Sequence, residues 1–332
     1  MSHNLATIHG KTAMFYSGEP PWHGLGVELE RPATAAEAIK AASLDWEVVK
    51  MPLHLKVDSR YRDAEDAFAV VRRDAVARNP VPVLGIVGKE YTPLQNRDAF
   101  GWFDSIVGQK AAVYHTAGAL GNGERVWILA KLPGEIRVTD EDIAEKYLLL
   151  SNSHDGSSAV QVKFTPIRVV CQNTLTMALS TGRGLCIAHT RSLAERLALA
   201  GRNLGIINER FQNIEWAFKR MKGVDMKEHR LDEYLALVFP KPTDDQDRAG
   251  RSRVLQAREG ARRLFEAGQG NDLPSVHGTL WAAYNGVAEY VDYHRESKTP
   301  DNRLDSVWFG MGYLWKARAY RVATNRIEAW KN

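Results

Sequence analysis

The sequence predicts an α+β protein: a mostly antiparallel sheet with helices in the first half, and a helical second half containing a long amphipathic helix. Three observations carry this. Short apolar runs bounded by Gly, Pro and Asn recur between residues 46 and 164, the pattern of strands set between turns. A glycine-rich turn, Gly121-Asn122-Gly123, separates two such runs. From about residue 190 onward, apolar residues return every three or four positions, the period of a helix with one buried face.

Strands are expected at 46–49, 67–71, 83–87, 126–130, 148–150 and 160–164, each a short apolar run. Helices are expected at 34–42 and at 96–107, the second with Phe100, Phe103 and Val107 on one side. Gly121-Asn122-Gly123 predicts a hairpin between 116–120 and 125–132, because these residues tolerate positive φ. Downstream, Ser192-x-x-Glu195 matches a capping box. Behind it Leu193, Leu197, Ala200, Leu204, Ile207, Phe211, Ile214, Phe218 and Met221 alternate at spacings of four and three. That stripe predicts one helix of about 30 residues, roughly 45 Å long, ending near Gly223. Its 3.5-residue period predicts packing against another long helix, in the same chain or in a partner. Further helices are expected at 253–267, 279–293 and 303–323, with 241–247 as an exposed linker. This divides the chain into an α+β core domain, 1–189, and a helical domain packed on it, 190–332, or else one intertwined unit.

With 332 residues, 44% of them hydrophobic and 25% charged, the chain is neither disordered nor a disulfide scaffold. No apolar run approaches the roughly 20 residues needed to cross a bilayer. Residues 1–18 lack the apolar core of a secretory signal. Cys171 and Cys186 have no nearby cysteine, and a reduced, cytoplasmic location is expected.

The net charge of +4 is unevenly spread. Residues 1–150 carry 17 basic and 20 acidic side chains, while the remainder carries 27 and 20. Between 159 and 222, ten basic residues face three glutamates. A second cluster is Arg251, Arg253, Arg258, Arg262 and Arg263. Phosphate is the natural counter-charge for such a surface, and Phe164, Phe211, Trp216 and Phe218 lie near enough in sequence to offer base stacking. Phe211 and Phe218 fall on the apolar stripe and read as core, whereas Trp216 falls off it.

Walker, dinucleotide, HExxH, paired zinc-ligand and GxSxG signatures are absent. No cofactor and no metal are expected, and the balance leans away from an enzyme. Three clusters remain. Pro20 to Gly26 presents Trp22 and His23 on a rigid loop, to a ligand, to a neighbour or to the core. Ser153-His154-Asp155-Gly156 reads either as a hairpin turn or as an imidazole–carboxylate pair for acid–base or metal work. Lys163 to Leu175 reads as strand, sharp junction and helix. In it Arg168 needs an anion or carboxylate if buried, Asn173 caps a helix or orients a phosphate, and Cys171 reads as a buried structural thiol.

These clusters occur in order with Gly278-Thr279-Leu280-Trp281 and Trp308-Phe309-Gly310. Together they resemble the phage/plasmid-like protein family, domain-of-unknown-function family 932, over nearly the whole chain. The resemblance implies a passenger of mobile elements. With the charge pattern, it leads to the expectation of a nucleic-acid-binding protein that favours single-stranded DNA in annealing, recombination or replication, and that assembles as a homo-oligomer. Lys163, Arg168, Arg183 and Arg191 are expected to neutralise phosphates, Asn173 to orient the backbone and Trp216 to stack. Two other readings stand beside it: a metal-dependent hydrolase or nuclease using His154 and Asp155, and a protein-interaction factor acting against host defence.

Overall fold

Alternating and continuous apolar runs in the first half do form strands. The computed structural model describes residues 5–18, 25–31, 33–107, 113–171, 185–202, 204–244, 247–296 and 303–331. Within these, the strands are β1 (Thr7–Ile8), β2 (Lys11–Thr12), β3 (Met14–Ser17), β4 (Val27–Leu29), β5 (Val48–Val57), β6 (Arg60–Arg72) and β7 (Val83–Gly88). They continue with β8 (Val113–Leu120), β9 (Arg125–Arg137), β10 (Ile143–Ser153), β11 (Val160–Phe164), β12 (Ile167–Arg168) and β13 (Leu185–Ile187). The helices are α1 (Ala35–Ala41), α2 (Asn96–Val107), α3 (Leu193–Arg202), α4 (Leu204–Lys222) and α5 (Glu228–Val238). Then come α6 (Arg248–Ala267), α7 (Leu280–Glu289), α8 (Arg303–Trp308) and α9 (Met311–Trp330). A π-helical turn, Tyr290–His294, continues α7. The result is a mixed α+β fold with its helices concentrated in the second half.

The main sheet has the order β13-β11-β10-β9-β8-β3-β4, with β12 also paired to β10. The pairs β3–β8, β8–β9, β10–β12 and β11–β13 are antiparallel, and β3–β4 is parallel. The predicted hairpin joins β8 to β9 with Leu120 opposite Arg125, and Gly121 and Gly123 take positive φ. A second sheet, β5-β6-β7, is antiparallel throughout.

Two compact units are assembled from interleaved segments. The first comprises Met1–Pro133, Leu148–Lys163 and Gly184–Leu204; the second comprises Gly134–Tyr147, Phe164–Arg183 and Gly205–Asn332. The core of the first includes Phe15, Val70, Phe100, Phe103, Tyr114 and Ile128, all essentially inaccessible. Helix α1 begins at a capping box, where Thr34 Oγ1 accepts from Glu37 N and Thr34 N donates to the Glu37 carboxylate. The core of the second is aromatic: Phe218 lies 4.4 Å from Trp281 and 6.1 Å from Tyr284, centroid to centroid.

The stripe of the long predicted helix is buried wherever it is described, at Leu193, Leu197, Phe211, Ile214, Phe218 and Met221. Its described parts are α3 and α4, with residue 203 outside the described set. The helix expected over 303–323 is instead two, α8 and α9, parted at Phe309-Gly310. Gly310 is the N-cap of α9, consistent with the roughly 1 kcal/mol that glycine costs inside a helix. Strands β1 to β4 and helix α5 are short and lacked a strong period. Among the described residues, no helix is long and apolar enough to cross a membrane.

Candidate functional site

The strand–helix junction singled out by the sequence is a buried knot in the second unit. Arg168, on β12, is wholly inaccessible. Its Nε and Nη2 donate to the two carboxylate oxygens of Asp142 at 2.8 and 2.7 Å, a bidentate fork. Nη1 donates to Asn271 Oδ1 at 3.0 Å and Nη2 to the Gly270 carbonyl at 2.8 Å. Trp281 Nε1 closes the ring by donating to Asp142 at 2.7 Å. Burial works against the guanidinium charge, and the Asp142 carboxylate more than offsets it, so the Arg168 pKa rises. Gly270 adopts φ +76°, and a Cβ there would lie 2.5 Å from Val170. The phosphate role expected of Arg168 is therefore corrected. Its donors are spent on protein acceptors, and Trp281 of the Thr279–Leu280–Trp281 motif shares the same carboxylate. Cys171 is buried, with Sγ 3.9 Å from Arg168 Nη1. Lys163 is corrected likewise: only 8% of it is exposed, too little to face a nucleic-acid backbone.

The His154–Asp155 loop of the first unit also turns inward. Asn96 Nδ2 donates to the Leu44 carbonyl, which aims Asn96 Oδ1 at His154 Nε2, 3.1 Å away. Asn152 Nδ2 lies 3.4 Å from the same nitrogen, and the shorter contact to Asn96 Oδ1 favours a ring proton on Nε2. Burial first, and the neighbouring His189 second, hold the His154 pKa down at about 3, so the imidazole is neutral. Asp155 takes separate partners. Its carboxylate accepts from Ser153 Oγ and from the Ser157 backbone N–H, closing its own turn. These bonds outweigh its burial and lower its pKa. The two side chains serve the core and the turn respectively, an arrangement that does not assemble an imidazole–carboxylate dyad.

Among the remaining expected residues, Trp22, His23, Asn173 and Arg183 lie outside the described residues. Arg191 is 81% exposed and pairs loosely with Glu90 at 3.4 Å. Trp216 is 58% exposed, with the Arg220 guanidinium 4.6 Å from its ring.

The helices of the second unit form a cleft of about 880 Å³ that the sequence reading did not single out as a whole. Its walls carry Arg253 and Arg263 from α6, Arg295 just beyond the π-helical turn, and Arg318 from α9, with Glu296 the one acidic lining residue among the described residues. Phe239, Tyr290 and Trp315 supply aromatic surface. The π-helical turn brings Tyr290, Val291 and His294 to the cleft, and such turns are frequent at functional sites. Tyr290 packs on α6 at Gly260, where a Cβ would come within 2.5 Å of its ring.

Electrostatically the cleft is the opposite of the knot. Arg295 lies over Trp315 at 4.6 Å and donates to Ser306 Oγ at 2.7 Å. Burial lowers its pKa and the like charge of Arg253 lowers it further, against an opposing pull from Tyr290. Arg253 spends its Nε on the Ala249 carbonyl. Arg263 is exposed and makes no ion pair among the described residues. Arg318 donates to the Val238 carbonyl at 3.3 Å. A half-buried arginine beside a like charge, as Arg295 is beside Arg253, is stabilised by a nearby anion, whereas Arg253 and Arg263 are themselves exposed. The signal that could have located this cleft was the arginine run 251–263 together with the aromatic residues of 290–315.

A family model described as Domain of unknown function (DUF932) matches residues 83–308. Comparison with curated proteins and with solved structures gives no match.

Proposed function

The chain belongs to the DUF932 family, and we propose that it binds single-stranded nucleic acid through the arginine–aromatic cleft of its helical unit. The observation that carries this reading is the cleft itself: among the described residues, four arginines and one glutamate line about 880 Å³ around Tyr290 and Trp315. Guanidinium groups suit phosphate because their planar donor pairs match its oxygens. Aromatic rings and the face of a stacked guanidinium suit a base. A recessed ring favours an unpaired strand, since a base inside a duplex must leave its stack to reach it. Within the same unit, the exposed Trp216–Arg220 pair is a further contact that a longer strand would use. In annealing or recombination, such contacts would hold a strand while leaving its remaining bases available.

Fluorescence anisotropy with labelled single-stranded and duplex oligonucleotides, over a salt series, tests this. We expect single strands to bind more tightly, with affinity falling as salt rises. Arg253→Ala and Arg263→Ala should each weaken binding roughly tenfold, about 1.4 kcal/mol, and each should reduce the salt slope by about 0.7. Binding that is absent at low salt, or unchanged in the double variant, would overturn the proposal.

A further inference from the structure

The β5–β6 hairpin of the first unit extends well past the sheet that anchors it. The two strands pair from Val48–Arg72 to Val57–Arg60, but β6 meets β7 only from Ala67 to Val71. Residues 53–57 and 60–64 therefore form a two-stranded arm. Asp58 and Ser59 close its tip with φ of +47° and +64°, the two-residue geometry that matches strand twist. An isolated two-stranded hairpin is at best marginally stable in water, and this one is coated with apolar side chains. Tyr61 is 73% exposed, Leu55 58% and Val57 37%.

The register sorts these side chains. Residues directly opposite each other share a face, so Leu53, Leu55 and Val57 stand with Ala64, Arg62 and Arg60. The other face carries His54, Asp63, Lys56 and Tyr61. Charge is polarised along the arm. Arg60 and Arg62 sit near the tip, whereas Glu65 and Asp66 are exposed at its stem, where the pairing register shifts. None of these four has an ion-pair partner among the described residues. An apolar row that is basic at one end and acidic at the other is complementary to itself when reversed.

We propose that the arm docks on the arm of a second copy of this chain. The two arms run antiparallel about a two-fold axis, with the Leu53–Leu55–Val57 rows face to face. Arg60 and Arg62 of each copy then lie against Glu65 and Asp66 of the other. This is an isologous contact, the commonest kind in homodimers, and it covers the apolar face that each arm otherwise leaves in water. It is independent of the cleft and of what the cleft binds.

Sedimentation equilibrium or light scattering on the full chain tests the contact. The wild type should show twice the chain mass, with dissociation on dilution. Leu55→Asp should raise the dimer dissociation constant at least tenfold while the circular dichroism melt stays unchanged. Arg60→Glu with Arg62→Glu should do the same, and so should Glu65→Lys with Asp66→Lys. The decisive protein combines all four charge reversals, which restores complementarity and should restore the dimer. A monomeric wild type, a dimer indifferent to Leu55→Asp, or a combined variant no tighter than its parents would overturn the proposal. So would arm variants that weaken oligonucleotide binding with no change of mass, a result that makes the arm a nucleic-acid contact.

Discussion

Arg168 and Arg295 are the same residue type in the same unit, yet they keep opposite electrostatic company. Arg168 has both oxygens of Asp142, the Asn271 amide and a backbone carbonyl around it, and is wholly inaccessible. Arg295 is half-buried, and its described neighbours include a tryptophan face, a serine hydroxyl and another arginine. The first arrangement is complete: adding a ligand would mean breaking a bidentate pair. The second places like charges side by side, with Glu296 as the acidic lining residue among the described residues. What separates the two is thus the described charge beside each, and exposure alone does not decide.

The sharpest way to break this distinction is to remove each arginine in turn. Arg168→Met leaves Asp142 charged and buried, with only Trp281 still donating to it, and should cost about 3–5 kcal/mol of stability. Arg168→Lys should recover only part of that, since an ammonium cannot reproduce the two-pronged bond. Arg253→Met, at an exposed position, should stay within about 0.5 kcal/mol. Urea denaturation measures all three. Equal costs at 168 and 253 would erase the contrast between knot and cleft.

His154 extends the same contrast to pH. Burial holds its folded pKa at about 3, well below the roughly 6.5 of an unfolded histidine. The unfolded chain therefore takes up a proton first as the solution is acidified. Stability is fully present above about pH 6.5 and falls as pH drops toward 3, by up to about 1.4 kcal/mol per unit for this one group. His189, lowered in the same direction by burial, adds to the slope. Asp155 acts lower still, because its depressed carboxyl is lost only below the ordinary aspartate range. A stability profile that stays flat between pH 6 and 4 would show that His154 is not held neutral.

The architecture was legible wherever periodicity was strong. Strands 83–87, 126–130 and 160–164, the 121–123 turn and the buried stripe from Leu193 to Met221 all follow from local pattern, because a strand or helix must put its apolar residues on one side. The knot was half legible. A lone arginine in an apolar strand announces a buried partner, but the partner is Asp142, 26 residues away, and no local rule selects it. The cleft was least legible, since its arginines and aromatics come from α6, the π-helical turn and α9 and meet only through tertiary packing. The His154-Asp155 pair carries acid–base side chains, yet Asp155 closes its own turn and the His154 ring fills a core with its Nδ1 unpaired among the described residues.

Trp216 gives the finest test of the difference between core and surface aromatics. It lies on α4 two residues before Phe218, which is fully buried, and off the apolar stripe. With 58% of it exposed and Arg220 over its ring, it contributes little to packing. Trp216→Ala should therefore change unfolding free energy by less than about 0.5 kcal/mol. If the ring stacks on a base, the same substitution should weaken single-strand binding by about 1–3 kcal/mol. It should leave the salt slope unchanged, because stacking releases no counterions. Phe218→Ala, three to five kcal/mol less stable by the usual cost of emptying an aromatic site, roughly, is the matching core substitution. An unchanged affinity with Trp216→Ala would confine recognition to the cleft, where Trp315 and the crowded arginines remain.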